Sequence, residues 1–416
     1  MAERRAVGGG RPGRTCDVAV VGAGIIGLAI TRSLLARDPR LDIVVVEKEA
    51  AVGQHASSRN SGVLHAGFYY SPDSLKARFT REGNAALRRF CADHGIAVRE
   101  CGKVVVTRSA AELPALDELA RRGAANGVTL EVIDPDRLAT LEPLARTVER
   151  ALWSPMTAVA DPGAVINALA AEVTGNGASV ILGRQVRQLS PGRVRCAKRG
   201  AADDVIAARH IVNAAGLYAD RLAAGSGLAD DYVILPFKGL YLYGNWPAGR
   251  LQRHVYPVPD PRNPFLGVHL TVTPDGRAKI GPTAIPALGR ENYQWLGGLR
   301  ARDSAEIARG LIGFLTSDHH DGPGLIRSEL PKISRAHMAR QAAALVPAVV
   351  PADFTARGRP GIRAQLFHLP TRSLEMDFVV RGDEHITHVL NAVSPGWTSA
   401  LSFAELVADR VAARLT

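Results

Sequence analysis

The chain has 416 residues, 46% of them hydrophobic, and a mean hydropathy near zero, which fits two interleaved globular domains with a substantial core. No apolar run reaches the roughly 18 residues that a bilayer-spanning helix needs. The net charge of +11, from 51 basic and 40 acidic side chains, lies on scattered arginines without the aromatic-interleaved basic stripe of a nucleic-acid surface, so it is read as solubility and attraction for anionic small molecules or anionic lipid.

The four cysteines, Cys16, Cys91, Cys101 and Cys196, form no CxxC pair and no cluster with histidines. Free thiols, no metal and a reducing cytoplasm are expected, with peripheral contact at the inner membrane face as the only membrane association. Arg4, Arg5, Arg11 and Arg14 surround a glycine-rich patch, expected to be a disordered basic tail over residues 1–14.

Asp17–Val21 is a short β-branched apolar run, a buried parallel strand by pattern. A glycine turn follows, then helical periodicity over Ile25–Arg37, then a second buried strand over Leu41–Glu47. Residues 53–71, rich in Gly, Ser, His and Asn, are too long for an ordinary connection and read as a functional loop. Ser74–His94, Glu112–Asn126 and Asp134–Leu141 read as helices, with strands near Val98 and Val104. Asp161-Pro162 starts a helix that runs to about Gly175, Asp as N-cap and Pro in the first turn.

Strand patterns recur near Val180, Val186 and Val194, and Ile211–Gly216 returns to the strand-turn-helix style of the first unit. Val233 to about Ile285 has the aromatic and β-branched runs of an antiparallel sheet, 298–350 is mostly helical, and Ile386–Ala392 is a last strand before a terminal helix. The implied fold class is α/β: a Rossmann-type nucleotide domain of discontinuous segments (15–75, 155–232 and 355–416) with an inserted antiparallel-sheet substrate domain (76–154 and 233–354).

Gly22-Ala-Gly24-Ile25-Ile26-Gly27 sits between strand and helix, and Glu47 ends the next strand. Gly22 permits the turn, Gly24 lets a pyrophosphate approach the backbone, and Gly27 lets helix and strand pack closely. The helix N-terminus faces the phosphates, and Glu47 accepts hydrogen bonds from a ribose hydroxyl while repelling a 2′-phosphate. This unit alone serves FAD or NAD. Its place near the amino terminus, with a glycine-rich loop directly after it and no second fingerprint, favours FAD.

From Gly53 to Tyr70 the chain resembles the L-2-hydroxyglutarate dehydrogenases and oxidases, within the D-amino-acid-oxidase-like flavoproteins. The resemblance continues at Ser74–Ala77, Cys101–Lys103, Asn213–Gly216, Pro236–Tyr241, His254–Pro261, Pro264–Leu270, Gly281-Pro282, Gly361–Gln365 and Asn391–Thr398. The chain departs from the family at Thr283-Ala284 and at Gly396-Trp397, where the family tends to place small residues. The resemblance implies oxidation of a small 2-hydroxy acid, L-2-hydroxyglutarate to 2-oxoglutarate, by hydride transfer to flavin N5, with oxygen or a quinone as electron acceptor. Amine and amino-acid oxidases share the fold and form the competing reading.

Such chemistry needs a base, a carboxylate anchor and a held flavin. His65 is the expected base, with His254 and His269 as alternatives. Arg363 is the expected carboxylate anchor, since a guanidinium grips a carboxylate with two prongs. Lys238 is assigned to a distal carboxylate, and Tyr70 or Tyr69 to a substrate hydrogen bond. For the flavin the expected contacts are Gly22, Gly24, Ile25, Ile26, Gly27, Glu47 and Lys48, then Ser58, Arg59, Asn60, Ser61, Gly62 and Val63. Val186, Ala214, Ala215, Gly216 and Arg363 follow, with Ser394, Pro395, Gly396, Trp397 and Thr398 at the opening of the last helix. His55 is a candidate for covalent flavin attachment.

Overall fold

The computed structural model describes residues 13–197, 203–260, 263–294 and 297–415; nearly all of the expected amino-terminal tail lies outside them. The nucleotide sheet is built on five parallel strands. Arg14–Val21 pairs with Ile43–Val46 on one side and Asp204–Asn213 on the other. Ser179–Ile181 extends the first flank and Ile386–Asn391 the second. Val18–Val21 and Ile43–Val46, buried on both faces, read as continuous Ala, Val and Ile runs, as parallel strands do. The antiparallel strands Gln185–Ser190 and Arg193–Ala197 continue from the long Asp204–Asn213 strand, and Val379–Gly382 pairs with the last one.

The helix Ile25–Arg37 is apolar nearly all round, because helices cover it on several sides: Pro162–Gly175, Ala400–Leu415 and, through the latter, Leu75–Asp93. Ser74 caps the Leu75–Asp93 helix and Asp161 caps Pro162–Gly175 through their side chains, whereas Ile25–Arg37 starts at Gly24 with neither a side-chain cap nor an acid in its first turn. That leaves its amino-terminal N–H groups with few partners of the helix's own.

Among the described residues a small antiparallel sheet joins Val63–Leu64, Ala158–Ala160 and Val98–Arg99, and two larger sheets carry the rest. One runs through Ala356–Arg357, Leu242–Tyr243, Ala278–Gly281, His269–Val272, His254–Pro257, Lys103–Val106, Ala151–Ser154 and Glu131–Ile133. It is antiparallel as expected except where His254–Pro257 runs parallel to Lys103–Val106. The other orders Ile285–Pro286, Tyr232–Gly239, Gly361–His368 and Ser373–Leu374, backed by the helix Ala301–Leu315.

The expected domain limits shift at two points. Helix Leu75–Asp93 buries Phe79, Leu87, Phe90 and Cys91 in the nucleotide-domain core, so the second domain starts after it. Strand Gly361–His368 pairs with Tyr232–Gly239 over its whole length, so the chain re-enters the nucleotide sheet only at Val379. All four cysteines are buried free thiols. Among the described residues no helix is long and apolar enough to cross a membrane.

Candidate active site

One continuous cavity of about 510 Å³ runs from the glycine turn to the face of the four-stranded sheet. Its nucleotide end is walled by Gly22, Gly24, Ile25, Ile26, Glu47, Lys48, Val186 and Ala214–Gly216. Arg59, Asn60, Ser61 and Val63 from the long loop, and Ser394–Thr398 from the last turn, form the middle. His65, Tyr69, Tyr70, Tyr241, Tyr256, Phe265, His269 and Arg363 form the far end.

The nucleotide end fits an FAD. A Cβ on Gly24 would stand 2.9 Å from Ser57 Oγ, and one on Gly27 only 2.0 Å from the Gly22 carbonyl; Gly22 itself has φ +104, a conformation L side chains rarely adopt. Glu47 accepts the Ala23 N–H (2.9 Å) on one oxygen and the Glu49 N–H (2.9 Å) on the other, leaving a lone pair on each for a ribose hydroxyl. The Ile25 N–H donates to Ser57 Oγ at 3.0 Å. Trp397 lines the middle with its indole N–H buried and unbonded, the kind of donor a flavin carbonyl satisfies.

Several expected contacts support the wall without forming it. Gly27, Ser58 and Gly62 are absent from the lining. Gly27 lets helix and strand close, Ser58 Oγ donates to the Gly53 carbonyl at 2.6 Å, and Gly62 (φ +75) lies against Ala160. Asn60 ties the loop together, donating to Ser57 O (2.7 Å) and accepting from the Gly62 N–H (2.8 Å). The Lys48 ammonium is held between Glu49 and Glu291. His55 lines the cavity, but its Nδ1 is bonded to Tyr293 Oη (2.7 Å) and its Nε2 to Glu49 (2.9 Å), so neither nitrogen is left for a flavin linkage.

At the far end His65 is fixed by its backbone: its N–H donates to Thr398 Oγ1 (3.2 Å), which in turn donates to Val63 O (3.1 Å). Asn84 Nδ2 donates to the His65 carbonyl (3.1 Å). The imidazole itself has no hydrogen-bond partner among the described residues. Burial first, then Lys103, His269, His254 and Arg363, hold it well below its ordinary range, so it is neutral at pH 7. His269 also lines the cavity. Its Nδ1 bonds the Gly267 carbonyl (2.8 Å) and its ring stacks on Tyr256 at 3.8 Å, which directs Nε2 as an acceptor.

His254, an expected alternative base, does not reach this space. Its Nδ1 accepts the Val272 N–H (3.0 Å), so the proton sits on Nε2, 3.2 Å from Cys101 Sγ; it is a satisfied histidine of the sheet. Lys238 is likewise off the wall, donating to Asn292 Oδ1 at 2.8 Å. The register explains this: Phe237 pairs with Arg363 and both line the cavity, while Lys238, the next residue, takes the opposite face.

Arg363 has no ion pair and no side-chain hydrogen bond among the described residues; its guanidinium lies 5.0 Å from the Phe265 ring, near Tyr70 and Tyr241. The surface it keeps faces the cavity, and burial lowers its pKa. Behind the wall, Lys103 is buried in a cage of Phe68, Tyr69 and Tyr256 at 4.4–4.9 Å. Among the described lining residues the only carboxylate is Glu47, at the nucleotide end. Sequence reasoning left Tyr241, Tyr256, Phe265 and Ser57 without roles, although each stands in or beside a segment that carries the family resemblance.

A parallel-stranded nucleotide domain with this cavity defines a flavin oxidoreductase, and the comparisons agree. Residues 17–410 match the FAD dependent oxidoreductase family, and the chain belongs to that family, with FAD as its cofactor. Within it, the chain is similar to the mitochondrial L-2-hydroxyglutarate dehydrogenase of Nematostella vectensis, at 35% identity over 98% of this chain and 92% of that protein. It is also similar to the L-2-hydroxyglutarate dehydrogenase of Escherichia coli, at 32% identity over 95% and 93%. In fold it is similar to the FAD-bound L-α-glycerophosphate oxidase of Mycoplasma pneumoniae, with a TM-score of 0.76 at 22% identity over 97% of this chain and 94% of that one. The glycine oxidase of Geobacillus kaustophilus follows with a TM-score of 0.70 at 20% identity over 96% and 95%.

Proposed function

We propose that the chain oxidises L-2-hydroxyglutarate to 2-oxoglutarate, with Arg363 holding the C1 carboxylate and His65 taking the hydroxyl proton. The observation that carries this reading is Arg363: a partly buried guanidinium without an anionic partner, on a cavity wall it shares with a neutral, unbonded imidazole. A buried cation without a partner is costly, and a substrate carboxylate offsets that cost.

FAD bound along the cavity supplies the acceptor for the hydride leaving Cα. His65 Nε2 or Nδ1 accepts the hydroxyl proton as the carbonyl forms, and its low basicity in the resting site keeps it unprotonated at neutral pH. Tyr70 and Tyr241, whose phenols burial pushes well above the ordinary tyrosine range, that of Tyr241 to about 12, stay protonated as hydrogen-bond donors near Arg363.

The charge of the cavity separates the two readings of the fold. An amino acid would bring its ammonium to an end walled by Arg363 and without a carboxylate among the described lining residues, whereas a hydroxy acid brings no positive charge. The similarity to L-2-hydroxyglutarate dehydrogenases supports the same choice. The reading includes oxygen or a quinone as acceptor and a cytoplasmic site of action, with peripheral contact to the membrane for the quinone case; the animal relatives are mitochondrial.

Steady-state turnover with an artificial acceptor tests it over L- and D-2-hydroxyglutarate, L-lactate and L-glutamate. Turnover of L-2-hydroxyglutarate alone is expected. Turnover of L-glutamate without any hydroxy acid overturns the assignment.

A further inference from the structure

Arg363 and His65 account for one carboxylate and one hydroxyl, and Lys238 takes the face away from the cavity. His269 lines the wall that these roles leave over. It opens the strand His269–Val272 of the eight-stranded sheet, whereas Arg363 stands on the four-stranded sheet. Phe265 and Leu266 line the cavity just before His269 in the chain, and the Phe265 ring lies 5.0 Å from the Arg363 guanidinium. This segment links the two walls, with Arg363 on one and His269 on the other.

The His269 ring is fixed before any ligand arrives. Its Nδ1 lies 2.8 Å from the Gly267 carbonyl, which only accepts, so Nδ1 carries the proton. Its face stacks on Tyr256, the centroids 3.8 Å apart. Nε2 has no partner among the described residues. It can only accept, and so can a carboxylate, so the two meet only through an added proton. A 2-hydroxy acid ending in a methyl group leaves Nε2 dry and unpaired, which is costly.

The surroundings decide when that proton arrives. Burial first, then Lys103 and Lys279 of the same sheet, oppose a positive ring and hold it at about 3 against the Gly267 carbonyl. His65 and His254 are the other titratable groups that feel the ring, and Tyr256 covers its face. The same lysines favour an incoming anion, and an anion at Nε2 favours the proton.

We propose that His269 is a specificity-determining residue that receives the second carboxylate of a dicarboxylic 2-hydroxy acid together with one proton from solvent, shared between that carboxylate and Nε2. This rests on the hydroxy-acid reading above and names the feature of the substrate that this wall selects.

The test uses the FAD-bound full chain and three non-reacting probes, glutarate, its monoamide and butyrate, titrated through their perturbation of the flavin spectrum. All three carry the carboxylate that Arg363 would hold, so pH dependence common to them belongs to that end of the site, His65 included. From about pH 6 to about pH 8, glutarate is expected to weaken about tenfold per pH unit relative to butyrate, the slope of one proton taken up. The monoamide brings its own N–H, so it should bind more tightly than butyrate with butyrate's pH profile. His269→Phe keeps a ring against Tyr256 and removes Nε2; glutarate should then follow butyrate's profile. Parallel wild-type profiles for glutarate and butyrate overturn the proposal without any variant, and so does a glutarate slope that survives in His269→Phe. Catalysis reports separately: a protein with the expected slope that oxidises no hydroxy acid refutes the reaction and leaves His269 as a dicarboxylate site, whereas oxidation of L-2-hydroxyglutarate beside parallel profiles keeps the reaction and removes this role from His269.

Discussion

Replacing Arg363 by methionine has opposite effects on catalysis and on stability. The guanidinium stands on the strand Gly361–His368, opposite Phe237, with no anion to pair with. In the proposed complex it makes two charge-assisted hydrogen bonds, worth about 3–5 kcal/mol together. Their loss lowers kcat/KM by about 10²- to 10³-fold or more, at about 1.4 kcal/mol per factor of ten. In the ligand-free protein the same change removes an unpaired, partly buried charge. Methionine refills the volume with a flexible apolar chain, and a gain of about 1–2 kcal/mol remains after allowing for the cavity's own hydration. Urea denaturation of the variant without substrate, beside steady-state kinetics, reads both numbers. A variant that is less stable than wild type and keeps its KM refutes the reasoning, because it makes Arg363 a structural cation.

Three further outcomes follow from the same geometry. His65→Asn should lower kcat about 10²- to 10⁴-fold with the flavin spectrum unchanged, and His269→Asn much less; the reverse order in stopped-flow reduction moves the base to His269. Gly27→Ala drives a Cβ to 2.0 Å from the Gly22 carbonyl, so the purified protein should lose most of its 450 nm flavin absorbance per chain; full FAD content contradicts the close packing. Burial depresses His254 and His269 to about 3, below the unfolded value of about 6.5. Their neutral burial therefore favours the fold fully above about pH 6.5 and progressively less as pH falls towards 3. At pH 5 each has lost about 2 kcal/mol. His254→Asn should reduce the pH 7 to pH 5 change in urea stability by that amount; an identical change in both proteins refutes it.

The nucleotide half was legible because its determinants are local. Gly22, Gly24, Gly27 and Glu47 lie within one strand-helix-strand unit, and each answers to a constraint set by its immediate neighbours. The substrate half depends on pairings across the chain. Arg363 owes its direction to an antiparallel partner more than a hundred residues earlier, Phe237, and Lys238 loses its expected role through that same register, which no local pattern announces. His254 and Tyr256 share a strand face, yet only Tyr256 reaches the cavity; the difference comes from Cys101 and Val272, on neighbouring strands that sequence spacing does not bring together. Helix Leu75–Asp93 packs into the nucleotide-domain core against expectation, because its amphipathic pattern shows that one face is buried and not which core buries it.

The central claim is that this cavity passes two electrons from a hydroxy acid to its flavin. Anaerobic mixing of the FAD-bound protein with L-2-hydroxyglutarate tests it most directly, following the 450 nm band and the product together. The account predicts full bleaching with one 2-oxoglutarate formed per flavin, and no bleaching with L-glutamate. A flavin spectrum that stays oxidised across L- and D-hydroxy acids, or one that bleaches with L-glutamate alone, contradicts it.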